Sequence, residues 1–522
     1  MKSPMLIVVS FCCCAVVLTG GCASAPLDFP RTASFAFSSP QETALGRHFY
    51  RQTEAHPGET GVYLLPGGPD ALVARAVIID AAEKSIDVQY FIFKDDLVSN
   101  FLLDHIVAAA DRGVHVRMLL DDFWQAGKDR RLAGIGAHPH IELRVFNPVG
   151  GNRSKEAFRS LQYVFGPKRI RGRMHNKSLI VDAAAAIVGG RNIADEYFAA
   201  SADFNVADVD MIAIGQAVDD VARTFDQYWN SPLAIPIEAF IPAERGPECL
   251  AVLRSRLEHS RVEARESVYA QRVRESDLLK QVEARAVPFT WGKDEALADA
   301  PGKSLLKREQ VPSAFMAERL LVVMSSAKRE VLMVSPYFVP GKGGMEWFKE
   351  TCARGVTVKV VTNSLASTDV DSAQGGYRGY RKAMLREGVD LYELRPDPER
   401  IGKSAAIHRG STARAALHAK ILIIDRETIF VGSHNIDPRS GELDSQNGIL
   451  IRSPELAAQL ASVFEMVTTP AYTYRVTLEG NRLTWTSEKE GKPIEYHEEP
   501  ETRGWRRFKA TIIGRLAPES WL

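Results

Sequence analysis

The chain carries one unit twice, and a repeat restricts the fold before any single segment does. In the first copy, Lys84-Ser85-Ile86-Asp87-Val88-Gln89-Tyr90-Phe91-Ile92-Phe93 is rich in β-branched and aromatic residues and reads as a strand. Leu97 to Arg112 has apolar residues at helical spacing, Gly113 closes that helix, and Val114 to Leu120 is the next strand. The second copy repeats the order with a strand over Val331 to Val339, a helix over Glu346 to Arg354, Gly355, and a strand over Val356 to Val361. Strand–helix–strand alternation predicts an α/β fold with a mixed or parallel sheet covered by helices on both faces. At 522 residues the chain is too long for one ordinary core, so two domains of this kind are expected.

Each copy then presents the same polar signature. The first has Met174-His175-Asn176-Lys177-Ser178-Leu179-Ile180-Val181-Asp182, followed by Gly189-Gly190-Arg191-Asn192. The second has Leu417-His418-Ala419-Lys420-Ile421-Leu422-Ile423-Ile424-Asp425, followed by Gly432-Ser433-His434-Asn435. Gly113 lies 62 positions before His175, and Gly355 lies 63 before His418. A lone His-x-Lys is noise; two with matched flanks are not. Residues two apart on a strand share a face, so His175 with Lys177, and His418 with Lys420, are expected to point together. Two such pairs in one pocket suit a phosphodiester. Lysines stabilise charge developing on the phosphoryl oxygens, one histidine attacks phosphorus, and the other exchanges a proton with the alcohol. Asn192 and Asn435, with Gly190 and Ser433 beside them, add neutral support. Asp182 and Asp425 complete the motif and read as structural anchors.

This doubled His-x-Lys-x-Asp pattern resembles the phospholipase D superfamily over about residues 60 to 470. Arg191-Asn192-Ile193-Ala194-Asp195-Glu196-Tyr197-Phe198, Asp208-Val209-Asp210, Thr362-Asn363-Ser364-Leu365-Ala366, Gly388 to Leu394 and Asn435-Ile436-Asp437-Pro438-Arg439-Ser440 are similar to the bacterial cardiolipin synthase branch, in particular its C type. The resemblance implies two tandem phospholipase D-type α/β/α domains packed pseudo-symmetrically around one active site, with no metal or other cofactor. It implies transfer of a phosphatidyl group onto the headgroup hydroxyl of phosphatidylglycerol, with phosphatidylethanolamine as a possible donor and a helper protein in some members. By analogy His175 is assigned as nucleophile and His418 as acid/base. The family continues Leu-Asn-x-Glu where this chain has Leu443-Asp444-Ser445-Gln446. That Glu is expected to orient the second-copy histidine, so Gln446 is expected to support an imidazolium less well, with Asp444 on the same strand face supplying part of the missing charge. Asp208 or Asp210 is expected to orient the first-copy histidine. Hydrolysis of phospholipid to phosphatidic acid, nuclease activity at the same site, and a catalytically weak lipid-binding protein remain alternatives.

The flanks place this unit in a cell envelope. Leu6 to Leu18 is apolar and of signal-peptide length, and Leu18-Thr19-Gly20-Gly21-Cys22 resembles a lipobox in which Cys22 is lipidated. Cleavage after Ala23-Ser24-Ala25 is the alternative, which would leave Pro26 behind the cut. A lipid chain attaches a protein to a membrane without a spanning helix, so a membrane-anchored lipoprotein on the periplasmic side is expected. Formal net charge is zero, which removes the global basic field of a nucleic-acid binder, and no nucleic acid is expected as a partner. Of six cysteines only Cys249 and Cys352 lie in the body, so no disulfide framework or zinc site is expected. The boundaries read as 1–22 leader, 23–60 N-terminal segment, 61–245 first copy, 246–305 charged helical linker, 306–470 second copy and 471–522 C-terminal strands with a basic amphipathic tail. That tail, Gly504 to Leu516, either lies on an anionic membrane surface or docks on the body.

Overall fold

The structure is a computed structural model and describes residues 27–150, 159, 162, 163, 166–284, 286–396 and 414–516. The leader and Cys22 lie outside the described residues. In the first copy the strands are β1 (Thr60–Leu65), β2 (Ser85–Tyr90), β3 (His115–Asp121), β4 (Ile141–Phe146), β5 (Ser178–Val181), β6 (Ala185–Gly189), β7 (Phe204–Ala207), β8 (Asp210–Gly215) and β9 (Ala234–Pro236). The strand β10 (Thr290–Ala298) opens the second copy, which continues with β11 (Glu330–Val334), β12 (Thr357–Asn363), β13 (Asp390–Leu394), β14 (Arg414–Leu417), β15 (Ile421–Ile424), β16 (Thr428–Gly432) and β17 (Asn447–Arg452). A C-terminal meander adds β18 (Thr473–Glu479), β19 (Arg482–Lys489) and β20 (Lys492–Tyr496).

The two copies share one topology. β4, β3 and β2 are parallel, and antiparallel pairing carries the sheet on through β5, β6 and β8 to β1. In the second copy β13, β12 and β11 are parallel, and the sheet continues through β15, β16 and β17 to β10. β1 then pairs antiparallel with β10, which makes a pseudo-twofold axis between them and joins the halves into one 18-stranded sheet. The predicted helices are Leu97–Asp111 and Gly341–Ala353. Gly113 and Gly355 follow them at φ +95° and +81°, the left-handed turn that glycine makes without a steric cost.

Apolar residues on both faces of the strands create layers. One core lies between the first half-sheet and its outer helices, and another does the same for the second half. The third joins the copies: Val62, Ile180, Val188 and Met211 share it with Ile423, Val431, Ile449 and Ile451, under the helices Gln216–Trp229 and Pro454–Val467.

The stretch 246–305 departs from the expected exposed linker. Its helices Gly246–Glu266, Val268–Arg274 and Asp277–Glu283 bury Leu253, Leu257, Tyr269 and Leu278 in the first core, and β10 is part of the central sheet. The charge pattern that suggested a solvated helix masked a narrow apolar face, with Leu253 and Leu257 one turn apart. The tail helix Gly504–Leu516 docks on the helix Asp371–Arg386, with Ala510 buried and Arg378 donating to the Arg507 carbonyl at 3.2 Å. No described helix is long and apolar enough to cross a membrane. Cys249 and Cys352 are free thiols.

Candidate active site

The His-x-Lys segments sit just before β5 and β15, where the two copies face each other. His175 N–H donates to the Ser445 carbonyl (2.8 Å), and His418 N–H donates to the Ala207 carbonyl (2.7 Å). Each histidine is therefore registered by backbone of the opposite copy. The residue before each is pinned from its own copy: Asp121 at the end of β3 accepts Met174 N–H (2.8 Å), and Asn363 at the end of β12 accepts Leu417 N–H (2.8 Å). Burial pushes the Asp121 carboxyl up to about 6, against the pull of Arg173 and of two backbone amides. The ammonium of Lys177 donates to the His175 carbonyl at 2.7 Å, and that of Lys420 donates to the His418 carbonyl. Histidine and lysine of each pair are thus brought together, in the segment that precedes the strand rather than on it.

The partners of the imidazoles also come from the opposite copy. His418 Nδ1 meets Asp208 Oδ2 at 2.6 Å. His175 Nδ1 meets Gln446 Oε1 at 2.8 Å and the Ser433 carbonyl at 3.2 Å. This corrects the assignment of Gln446 to the second-copy histidine and of Asp208 to the first. The register explains it: β6 pairs Gly189 with Asp210 and β16 pairs Gly432 with Gly448, so Asp208 and Gln446 occupy equivalent positions and reach across the axis. Asp444 is not on a strand face beside Gln446. It accepts Arg173 N–H at 2.9 Å and pairs with Arg439 at 3.1 Å. Asp210 bonds Arg75 (2.8 Å) and the Arg191 amide (3.1 Å), a buried anchor that makes no contact with either histidine.

Gly190 and Ser433 stand at equivalent positions with different uses. A Cβ on Gly190 would lie 2.1 Å from Asp208 Oδ1, so the carboxylate reaches His418 only past a glycine. Ser433 Oγ donates to Gln446 Oε1 at 2.7 Å, while Gln446 Nε2 donates to Ser440 Oγ at 3.1 Å. Those two hydroxyls fix the amide so that its oxygen faces His175. Asn192 accepts Ile92 N–H at 3.1 Å; its Nδ2 and Asn435 Oδ1 are buried with no hydrogen-bond partner among the described residues.

Asp182 and Asp425 sit away from this pocket, at the far ends of β5 and β15. Each stands in a tight turn at positive φ, +51° and +52°. Asp182 accepts the amides of Glu83 (2.9 Å), Lys84 (2.8 Å) and Ser85 (2.8 Å). Asp425 accepts those of Lys328 (2.8 Å), Arg329 (2.7 Å) and Glu330 (2.9 Å). The third member of each motif ties the hairpin to β2 or β11 and is a structural anchor, not a catalytic group, although it belongs to the repeated motif.

The electrostatics of the pocket are those of a site awaiting an anion. Burial, then Lys177 and Lys420, holds His175 well below the usual imidazole range. Burial and Lys420 lower His418 too, but Asp208 works against them. Burial and Lys420 depress Lys177, and burial pulls Lys420 down to about 8. A phosphodiester entering would supply the missing countercharge and restore both ammonium groups. Aromatic rings wall the pocket. Phe91 lies edge-on to His175 at 5.1 Å, and Tyr197 to His418 at 5.0 Å. Tyr337 flanks His418 at 6.3 Å with the Lys420 ammonium 5.9 Å over its ring. Sequence reasoning treated these rings as strand formers or as motif letters. It also passed over Asn447, whose amide brackets the backbone of Lys177 at 3.0 and 3.3 Å although it directly follows Gln446.

A family model described as "Cardiolipin synthase, PLD-like domain" matches residues 76–229 and 320–468, one match per copy. The chain belongs to this family. It is a phosphatidyltransferase of the phospholipase D superfamily. Cardiolipin synthase C of Escherichia coli (strain K12) is 36% identical over 471 residues, 90% of this chain and 97% of that protein. An uncharacterized protein of Helicobacter pylori (strain J99) is 30% identical over 472 residues, 90% of this chain and 91% of the other. The crystal structure of phosphatidylserine synthase from Haemophilus influenzae Rd KW20 superposes with a TM-score of 0.51 at 13% identity, over 82% of this chain and 92% of that one, and shares the fold. The cardiolipin synthase family match thus spans both His-x-Lys segments and both orienting residues, Asp208 and Gln446.

Proposed function

We propose that this protein makes cardiolipin by moving a phosphatidyl group from one phospholipid onto a headgroup hydroxyl of phosphatidylglycerol. The observation that carries the reading is the crosswise, unequal pairing of the two histidines: a neutral amide on His175 and a carboxylate on His418. His175 donates Nδ1–H to Gln446, so its Nε2 keeps a lone pair and attacks phosphorus. With the bound phosphodiester adding its negative charge to that of Asp208, His418 becomes an imidazolium, carries a proton on Nε2 and gives it to the departing alcohol as the P–O bond breaks. Lys177 and Lys420 balance the charge on the phosphoryl oxygens through the transition state. The acceptor hydroxyl then gives its proton to His418 and attacks the phosphohistidine, which frees His175. Phosphatidylglycerol serves as acceptor because its headgroup has a free primary hydroxyl; phosphatidylethanolamine or a second phosphatidylglycerol is the donor. A lipid on Cys22 holds the enzyme to the periplasmic side of the envelope, and the membrane surface supplies both substrates.

The test is a product assay. The membrane-bound chain is given labelled phosphatidylglycerol with and without phosphatidylethanolamine, and the lipids are resolved. Cardiolipin that vanishes in His175→Ala and in His418→Ala is expected. Phosphatidic acid as the sole product would mean that water takes the intermediate, and would replace this reading with a phospholipase.

A further inference from the structure

The tail helix Gly504–Leu516 offers two unlike faces. Toward the body, Ala510 is fully buried, and Arg506 pairs with Asp371 (3.1 Å) and donates to the Thr368 carbonyl (2.8 Å). Arg507 donates to the carbonyls of Glu499 and Thr502, both at 3.0 Å. Away from the body, Trp505 is 73% exposed, Phe508 54% and Ile512 39%. Steps of three and four place these on one stripe, and the Trp505 and Phe508 rings stack at 5.5 Å between centroids. The helix has Arg506, Arg507, Lys509 and Arg515 and no acidic residue. A large aromatic pair left in water on a basic helix has the composition of a segment that lies in a lipid interface.

Its attachment points lead to the catalytic pocket. Arg506 and Lys509 hold Asp371, and Arg506 also holds Thr368. In the same loop Asp369 accepts the Tyr337 hydroxyl at 3.0 and 3.1 Å, and Tyr337 walls His418. One loop therefore connects the exposed stripe to the ring beside the acid/base histidine. From this we infer that the tail helix is an interfacial foot: Trp505, Phe508 and Ile512 enter the acyl boundary of an anionic bilayer and set the pocket mouth at headgroup depth. The inference rests on the reading of phospholipids as substrates, and it makes access to bilayer lipid, rather than chemistry, the step that the helix serves.

The experiment uses the full chain reconstituted in vesicles of phosphatidylglycerol and phosphatidylcholine whose acyl chains are brominated. Bromine quenches only tryptophans that reach the acyl region. Wild type is expected to show a quenched component that disappears in Trp505→Phe; identical quenching in both proteins would overturn the foot. The Trp505→Ser/Phe508→Ser double variant changes only exposed side chains. It is expected to turn over bilayer phosphatidylglycerol at least tenfold more slowly and a short-chain, monomeric phosphatidylglycerol at the wild-type rate. Equal losses on both substrates would overturn the inference, as would an oligomer that dissociates in the double variant while quenching stays unchanged. If wild type turns over neither lipid, the proposed function fails, and the quenching result stands apart from it.

Discussion

Replacing Asp208 by Asn separates the two histidines' roles, because it keeps the size of the side chain and removes one charge from beside His418. Charge centres joined through the 2.6 Å bond lie about 4 Å apart, where an effective dielectric of about 20 gives about 4 kcal/mol. At 1.36 kcal/mol per unit that is an upper figure of about 3 pKa units, and a neighbouring opposite charge typically moves a group by about 1–3. His418 already lies below the ordinary imidazole range through burial and Lys420, so the variant lowers it further. The protonated fraction near neutral pH then falls by about 10- to 1000-fold, and the alkaline limb of the pH–rate profile moves to lower pH by the same about 1–3 units. Two substrates make the assay decisive. Phosphatidylglycerol as donor releases an alkoxide that needs a proton, whereas phosphatidyl-p-nitrophenol releases a phenolate that does not. Asp208→Asn is expected to slow the first by the full factor and to leave the p-nitrophenolate burst nearly unchanged. Asp208 also supports the charge on Lys177 and Lys420, and the loss common to both substrates measures that contribution. Equal losses on the two substrates would refute His418 as the acid.

The other expectations follow from the same contacts. Gln446→Glu puts a carboxylate 2.8 Å from His175 and raises its pKa, so the neutral nucleophile is lost at acid pH and the acidic limb of kcat/KM moves up by about 1–3 units. Gly190→Ala places a methyl 2.1 Å from Asp208 Oδ1; it is expected to shift the alkaline limb as Asp208→Asn does and to cost about 1–3 kcal/mol of stability, read by denaturant titration. Asp182→Ala strips an acceptor from three amides at a fully buried position and is expected to destabilise by at least about 3 kcal/mol. Asp425→Ala, nearer the surface, is expected to cost less. Both imidazoles are depressed in the folded state, so below the unfolded value of about 6.5 the unfolded chain binds more protons. The two imidazoles therefore contribute stability that rises with pH up to about 6.5, opposed by carboxyls such as Asp121 that burial raises; the thermal stability of wild type minus that of His175→Asn isolates one imidazole's share and is expected to rise with pH up to about 6.5.

The parts of this molecule legible in the sequence are those that local pattern controls. Strand runs, helical spacing and the closing glycines Gly113 and Gly355 are set by neighbours within a few residues, and they located both half-sheets. The paired His-x-Lys signals were legible for the same reason, since a repeat marks equivalent positions without saying how they meet. What spacing does not carry is which copy answers which. Gln446 lies 13 residues from Ser433 and 271 from His175, yet it bonds both, because β1 and β10 pair about an axis that turns the end of each half-sheet toward the other's histidine. A residue read within its own copy was bound to be given the wrong partner. The same crossing changes what the Asp-to-Gln difference means. Read within its own copy, Gln446 is a weakened support for the acid/base histidine. Across the axis it is a neutral acceptor on the other imidazole, the one proposed to attack through an unprotonated Nε2, while Asp208 favours the charged form of the one proposed to give the proton. Identical partners at both positions would leave the two histidines nearly interchangeable; unlike partners at equivalent positions give a doubled fold a direction.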